Sequence, residues 1–239
     1  MINYFTPIPI FNSDQEFSID LISSKPEPDP IIRIENSDRI LIDMQYFKKG
    51  IPQAVCACYL RQDVYYRLIR ASKKLPYGYK FKIFDAWRPL EVQFFLYKTY
   101  REIIEKKYCY LSPFELDSIM SSFVFPPSKD PKFPPPHTTG GAIDLSVIDE
   151  YGQDLDMGSE FDELDSSAHT SFFEDKNSTV ANNRRLLYNI MISEGFTNLP
   201  SEWWHYDFGT VIWAFYSGLP SKYLGIFSEE DIFREIHNK

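Results

Sequence analysis

The chain has 239 residues and a formal net charge of −9, and 44% of its residues are hydrophobic. This apolar fraction is enough for a sizeable core and is typical of a globular protein rather than a disordered acidic segment. The 25 Lys and Arg residues are spread along the chain, so we expect no nucleic-acid partner, because neutralising phosphates requires clustered positive charge.

The sequence also bears on membrane insertion and export. No stretch reaches the roughly 20 apolar residues of a membrane span. The amino terminus, MINYFTPIPIFNSDQEF, has neither a basic start nor an unbroken apolar run. We therefore expect a cytoplasmic protein with no membrane span, or a periplasmic one if a signal was removed. The length fits one large domain, and the sequence makes no prediction of oligomeric state.

The first part of the chain predicts an arm followed by strands. Residues 1–30 end in SSKPEPDP, a polar run spaced by prolines that fits neither a helix interior nor a central strand. We interpret 1–30 as an arm or linker and expect the folded domain over 31–239. From Ile31 to Phe47, clusters of β-branched residues predict one or two strands.

A helix, a strand and a second helix are predicted next. In RQDVYYRLIRASKKL, apolar residues recur at helical spacing after Asp63, a candidate cap. GYKFKIFDAWRP alternates as a half-buried strand that ends near Asp85, with Arg88 just beyond it. Pro89 then opens a helix. The apolar face predicted for that helix consists of Val92, Phe95, Leu96, Ile103 and Ile104.

The second half begins with a proline-rich segment. Residues 125–136 hold six prolines in twelve positions and predict an extended surface loop. AIDLSVID and EWWHYDFG are typical of strands, STVANNRRLLYNIMISEG of a helix ending before Gly195, and SEEDIFREIHNK of a short closing helix. Strands and helices without regular βαβ alternation predict a single α+β domain with a central antiparallel or mixed sheet flanked by helices.

Three side chains are candidate metal ligands: His137, Asp144 and His205. Two histidines and one carboxylate, with a fourth position open to water, suit catalytic zinc, and Asp144 would put such a site on the sheet. The glycines between His137 and Asp144 permit a tight turn that brings both toward one point. Taken alone, a histidine near glycines is more often a hydrogen-bonded loop residue than a ligand, so the spacing leaves both interpretations open.

Two further residues fit a hydrolytic role. Glu202 precedes His205 by three residues, a position from which a carboxylate can take a proton from water activated by the metal. Arg88, at a strand end, can stabilise a developing oxyanion with charge-assisted hydrogen bonds. The alternatives are structural: an Asp to Arg pair in DAWRP and a core strand in EWWH.

In chain order, DAWRP, HTTGGAID, MGSEFDE and EWWH resemble the D-alanyl-D-alanine dipeptidase family of zinc peptidases, relatives of D,D-carboxypeptidases and of the Hedgehog signalling domain. The resemblance runs from about Arg39 to Phe208. It implies Zn²⁺ held by His137, Asp144 and His205, with Glu202 as general base and Arg88 as the arginine that stabilises the transition state.

The resemblance also concerns the substrate. It implies that Asp162, in MGSEFDE, holds the free amino group of a dipeptide. Without the resemblance, a solvated charge in an acidic loop is the better interpretation of Asp162. The family's usual serine two places before the first zinc histidine is Pro135 here, so a hydroxyl that helps to hold the substrate is missing.

The function expected from this resemblance is zinc-dependent hydrolysis of a small D,D-dipeptide such as D-Ala-D-Ala. One alternative is a murein-peptide D,D- or L,D-carboxypeptidase acting on longer peptidoglycan stems. Another is a zinc-containing binding protein without catalysis, against which the presence of both Glu202 and Arg88 argues, because a structural zinc needs neither.

Overall fold

The computed structural model describes residues 3–10, 22–130 and 133–237. The strands over these ranges are β1 (Ile31–Ile34), β2 (Ile40–Ile42), β3 (Cys58–Arg61), β4 (Lys80–Asp85), β5 (Ala142–Ile148), β6 (Thr197–Asn198) and β7 (His205–Asp207). The helices are α1 (Gln45–Lys48), α2 (Gln62–Ser72), α3 (Leu90–Lys107), α4 (Pro113–Phe123), α5 (Ser178–Ile192), α6 (Val211–Ser217) and α7 (Glu229–His237). The α+β class with a mixed sheet is confirmed.

A five-stranded sheet forms the centre of the fold, in the order β2-β4-β5-β7-β6. β2 runs parallel to β4, and the other neighbours are antiparallel. All seven residues of β5 are buried, which places this strand in the middle of the core. A separate antiparallel pair joins β1 to β3.

The register of the sheet determines which side chains meet. Asp144 on β5 pairs with His205 on β7 on one side and with Asp85 at the end of β4 on the other. A shift in register between Ile83 and Asp85 marks an irregularity at this point of β4. Three residues distant in sequence therefore lie side by side across adjacent strands.

The helices differ in detail from the sequence-based predictions. α2 buries Val64, Leu68 and Ala71 as expected. Asp63 lies inside its first turn rather than at its cap, because the N-cap is Arg61, two residues earlier. On α3 the predicted apolar face is partly wrong. Val92, Leu96 and Ile104 are buried, whereas Phe95 and Ile103 are exposed, because only a narrow stripe of the helix faces α1 and α4.

The proline-rich segment is only partly the predicted surface loop. Residues 126, 129 and 130 are exposed, but Pro134, Pro135 and Pro136 are buried. The chain turns inward here because residues 136–139 form a 3₁₀ turn that leads into β5. Residues 131–132 lie outside the described residues.

Parts of the predicted arm, residues 1–30, contact the rest of the protein. The Asn189 side chain donates a hydrogen bond to the carbonyl of Thr6, and Ile8 is buried. Further along, the backbone N–H groups of Lys25 and Glu27 donate to carbonyls at residues 221 and 222. Residues 1–2 and 11–21 lie outside the described residues. Within the described chain, no helix combines the length and apolarity needed to cross a membrane.

Candidate metal centre and surrounding cleft

The three candidate ligands come together in the structure. Each of His137, Asp144 and His205 offers one ligand atom, and these atoms lie within 4.8 Å of one another. Nε2 of His137 is 3.3 Å from Oδ2 of Asp144, and Nδ1 of His205 is 3.0 Å from Oδ1 of the same carboxylate. All three side chains are buried. Among the described residues, this is the cluster whose geometry suits a metal ion.

Hydrogen bonds on the far side of each imidazole ring fix its orientation. Nδ1 of His137 lies 2.7 Å from the carbonyl oxygen of Ala86, which can only accept, so this nitrogen carries the proton. Nε2 of His205 lies 2.7 Å from Oδ2 of Asp207, and the Thr210 hydroxyl donates to the other oxygen of that carboxylate. In the neutral tautomers, the lone pairs of both rings then point toward Asp144, an arrangement typical of metal-binding histidines.

The electrostatics of the cluster favour a positive charge at its centre. Burial opposes ionisation of Asp144, but the two histidines outweigh it and hold the pKa of Asp144 well below its usual range. Burial likewise opposes the charged form of His205, yet Asp207 and Asp144 raise the pKa of His205 well above its usual value. The two ring nitrogens that face each other are only 3.2 Å apart. A cation bound between nitrogens and carboxylate would supply the charge that a proton otherwise provides, so the residues fit a metal ion.

The glycine turn between the first two ligands is closely packed. Gly140 has φ = +72°, in the left-handed region that glycine adopts without steric cost. A Cβ at Gly141 would lie 2.6 Å from the carbonyl oxygen of Phe208. The buried side chain of Arg61 holds the turn from outside by donating from Nε to the carbonyl of Thr139. The sequence Gly140-Gly141 therefore brings β5 close to β7.

Glu202 lies beside the cluster. Its Oε2 is 3.9 Å from Nδ1 of His205, too far for a hydrogen bond but close enough for a charge interaction. Burial raises the pKa of Glu202 to about 8, and the neighbouring His205 opposes this shift. A cation at the cluster would favour the ionised carboxylate, because opposite charge within a few ångströms lowers a carboxyl pKa.

Arg88 reaches the cluster from the end of β4. Its Nε donates to Oδ2 of Asp85 at 2.7 Å, and one terminal nitrogen donates to the Gln93 side chain at 2.7 Å. The other terminal nitrogen is 3.5 Å from Oδ2 of Asp144. Burial opposes the charge, but Tyr46, Asp85 and Asp144 outweigh it and raise the pKa of Arg88, so the guanidinium stays charged.

Asp162 is connected to Arg88 through the hydroxyl of Tyr46. The hydroxyl of Tyr46 donates to its Oδ1 at 2.9 Å, and that hydroxyl is 3.5 Å from Arg88. Nζ of Lys49 is 3.3 Å from its Oδ2. Asp162 has φ = +68°, an uncommon backbone conformation for a residue with a side chain. Burial raises the pKa of Asp162, while Lys49 and the hydrogen bond from Tyr46 oppose the shift. This carboxylate is therefore partly sheltered and engaged on both oxygens.

Comparison with known proteins identifies a family whose match covers the residues described above. The D-ala-D-ala dipeptidase family, Peptidase_M15, matches residues 46–223, which is most of the chain and includes all six candidate site residues. The protein belongs to this dipeptidase family.

Individual relatives support the assignment. The chain is 35% identical over 149 residues to a protein of Synechocystis sp. named D-alanyl-D-alanine dipeptidase, a match that covers 55% of this chain and 60% of the relative. It is 32% identical over 130 residues to the Escherichia coli K12 protein of that name, covering 54% of this chain and 55% of the relative. It is 39% identical over 71 residues to the Enterococcus faecalis protein, covering 29% and 35%. The chain thus spans little more than half the length of the first two relatives.

Several residues of this dipeptidase-family site were missed by sequence analysis. Asp207, which orients His205, follows it by two positions on β7, and that spacing within a predicted strand is a usable signal for a shared face. Asp85 was considered only as a structural partner of Arg88. Tyr46 and Lys49 have no signal in the sequence, because α1 is a single short turn whose position over the cleft depends on tertiary packing.

Proposed function

We propose that this protein is a zinc-dependent dipeptidase that hydrolyses a small D,D-dipeptide such as D-Ala-D-Ala. The observation that carries the proposal is the convergence of two imidazole nitrogens and a carboxylate, with Glu202 and Arg88 both beside them. Nitrogen and oxygen ligands in this number are those of catalytic zinc sites. The family assignment and the names of the relatives agree with a peptidase acting on this substrate.

His137, Asp144 and His205 are the proposed ligands. Zn²⁺ held there would polarise the scissile carbonyl and lower the pKa of the attacking water. His137 and His205 would keep their lone pairs directed at the ion through their hydrogen bonds to Ala86 and Asp207.

The remaining chemistry is assigned to side chains of the cleft. Glu202 would take the proton from the attacking water and return it to the leaving amine, as general bases do in such sites. Arg88, which is fixed by Asp85 and Gln93 and points to the cluster, would stabilise the negative charge that develops on the carbonyl oxygen. Asp162 would accept hydrogen bonds from the ammonium of the substrate.

Pro135 bears on which dipeptide is preferred. It is buried two residues before His137, and its carbonyl accepts a hydrogen bond from the Thr138 hydroxyl. Proline offers no side-chain donor at a position where the family usually has a serine. Residue 135 would therefore give the substrate no hydroxyl contact, and we expect apolar contacts there to favour small aliphatic side chains in the substrate.

The test is a comparison of three substrates with the zinc-loaded full chain. We expect D-Ala-D-Ala to be cleaved, N-acetyl-D-Ala-D-Ala to be left intact, and pentapeptide stems ending in D-Ala-D-Ala to be left intact, because only the first presents an ammonium to Asp162. Cleavage of the acetylated or the longer substrates at a similar rate would instead favour a carboxypeptidase. No cleavage of any of them by the zinc-loaded protein would favour a binding role.

A further inference from the structure

Lys49 occupies the position in which the proposed function places the substrate's amino group. Its Nζ is 3.3 Å from Oδ2 of Asp162, while Oδ1 of that carboxylate accepts the hydrogen bond from Tyr46. Both oxygens of Asp162 therefore have partners before any substrate arrives. A substrate ammonium that binds to Oδ2 would share this oxygen with the ammonium of Lys49, and the repulsion between the two like charges sets them in competition.

Two aromatic rings complete the surroundings of this ammonium. Nζ of Lys49 is 5.3 Å from the ring centroid of Phe161 and 5.9 Å from that of Tyr46. The two rings are in contact, with centroids 5.7 Å apart, and Phe161 also packs against Phe84 and Trp204. A carboxylate flanked by aromatic faces is a chemical environment suited to a primary ammonium.

Lys49 is more exposed than Asp162 and Tyr46, the residues that surround its ammonium. The side chain of Asp162 is 16% exposed and that of Lys49 is 47% exposed. Tyr46 is buried on α1, whereas Lys49 follows the last residue of α1. A half-exposed lysine with a long flexible stem can move into solvent without disturbing the rings or the carboxylate.

We propose that Lys49 is a specificity-determining residue that competes with the amino end of the substrate for Asp162. This inference rests on the proposed function, in which Asp162 binds that amino end. A substrate ammonium exchanges one cation for another, so Asp162 stays neutralised after Lys49 leaves. A ligand with an uncharged amino end offers no such exchange and meets a carboxylate already paired with Lys49. The competition therefore lowers the affinity for every ligand, and only ligands with a free ammonium can replace the lysine.

The direct test is the steady-state kinetics of Lys49→Met on D-Ala-D-Ala, with the zinc-loaded full chain. Removing a half-exposed competing ion pair lowers KM by roughly two- to fivefold. The value of kcat stays close to wild type, because Lys49 does not contact the reacting atoms. Lys49→Arg keeps a cation beside Asp162 and retains a KM near that of the wild type.

The matched control is Lys48→Met. Lys48 is the neighbouring residue on α1 and forms an ion pair with Asp43 rather than Asp162. We expect this variant to keep the wild-type KM, so that a lower KM in Lys49→Met alone identifies the contact with Asp162. An unchanged or raised KM in Lys49→Met would overturn the competition, and a raised value would mean that Lys49 supports binding.

A binding measurement separates this inference from the proposed function. Calorimetric titration of D-Ala-D-Ala into Glu202→Gln, with and without Lys49→Met, reads affinity without turnover. Tighter binding in the double variant sustains the inference even if the wild-type protein proves to have no dipeptidase activity. Equal or weaker binding overturns it, whatever the activity of the wild type.

Discussion

Single hydrogen bonds decide which ring nitrogens face the centre of the ligand cluster. The carboxylate of Asp207 accepts from Nε2 of His205 and is itself held by Thr210. This leaves Nδ1 of His205 as the nitrogen that faces Asp144, and the negative charge of Asp207 makes it a stronger ligand. We therefore expect Asp207, which is not one of the proposed ligands, to contribute to how tightly a metal would be bound.

Asp207→Asn tests this contribution. We expect the Kd for Zn²⁺ to rise roughly 10- to 100-fold, because the ring loses a charged partner while its position is nearly conserved. Competition with a fluorescent zinc chelator measures the Kd. Asp154→Asn, which removes a more exposed carboxylate paired with Lys82, is the matched control and should bind zinc as the wild type does.

Glu202→Gln separates metal binding from proton transfer. The substitution keeps the shape of the side chain but removes its ability to accept a proton, so kcat should fall by at least about 100-fold while bound zinc stays at one equivalent per chain. Stopped assays of D-alanine release, paired with metal analysis of the same samples, give both quantities. A variant that turns over at the wild-type rate would remove Glu202 from the mechanism.

At the level of secondary structure, the close approach of β5 to β7 determines the site. Asp144 and His205 face each other because the strands pair in this register, and Gly141 lies at the point of closest approach. A methyl group at Gly141 would meet the carbonyl of Phe208 at 2.6 Å and the side chains of Thr210 and Tyr223 at 2.9 Å. Neither the backbone nor the buried rings can yield at low cost.

Gly141→Ala should therefore destabilise the fold and weaken the metal site together. We expect a loss of about 1–3 kcal/mol in the free energy of unfolding, measured in urea, and a higher Kd for Zn²⁺. Gly152→Ala is the comparison, because no atom lies within 4 Å of a Cβ there although φ is +79°. It should lose some stability through backbone strain and keep the wild-type zinc affinity. Equal zinc affinity in both variants would contradict the role given to the turn.

The elements also show what the sequence could and could not predict. The helix α2 follows from its regular apolar periodicity, whereas the strand containing Asp144, which is buried at every position, follows from its short run rich in apolar residues. α4 was missed although its capping box, Ser112 with Glu115 and a proline between them, was readable. No prediction is made for α6, although Thr210 before it and Gly218 after it are typical helix boundaries. The exposure of Phe95 on α3 follows from which helices pack beside it, and periodicity does not contain that information.

On the scale of the whole molecule, the cleft joins segments that are far apart in sequence. Asp85 and Arg88 come from β4 and the residues after it, His137 and Asp144 from either side of the glycine turn, and His205 from β7. The family resemblance predicts that Arg88, His137, Asp144 and His205 belong together, whereas the part played by Asp85 and the contribution of α1 depend on packing and are not predicted. A metal held by His137, Asp144 and His205 would link β5, the turn that precedes it and β7.

Metal removal should therefore lower the thermal stability of the whole chain. A ligand present at about 100 times its Kd stabilises the native state by about 2.7 kcal/mol. For a domain of this size, that corresponds to a fall in Tm of roughly 5 to 10 °C when a chelator removes the ion. Differential scanning calorimetry before and after chelation, with zinc added back, measures the shift. An unchanged Tm would mean that no metal ion stabilises the fold.

The proposed function depends on a zinc ion held by His137, Asp144 and His205. Its most direct test is the release of D-alanine from D-Ala-D-Ala by the purified full chain, measured as isolated, after chelation and after zinc is restored. We expect turnover that disappears with the chelator and returns with one equivalent of zinc. Turnover that persists in protein shown to be free of metal, or no turnover in protein shown to hold zinc, would contradict it.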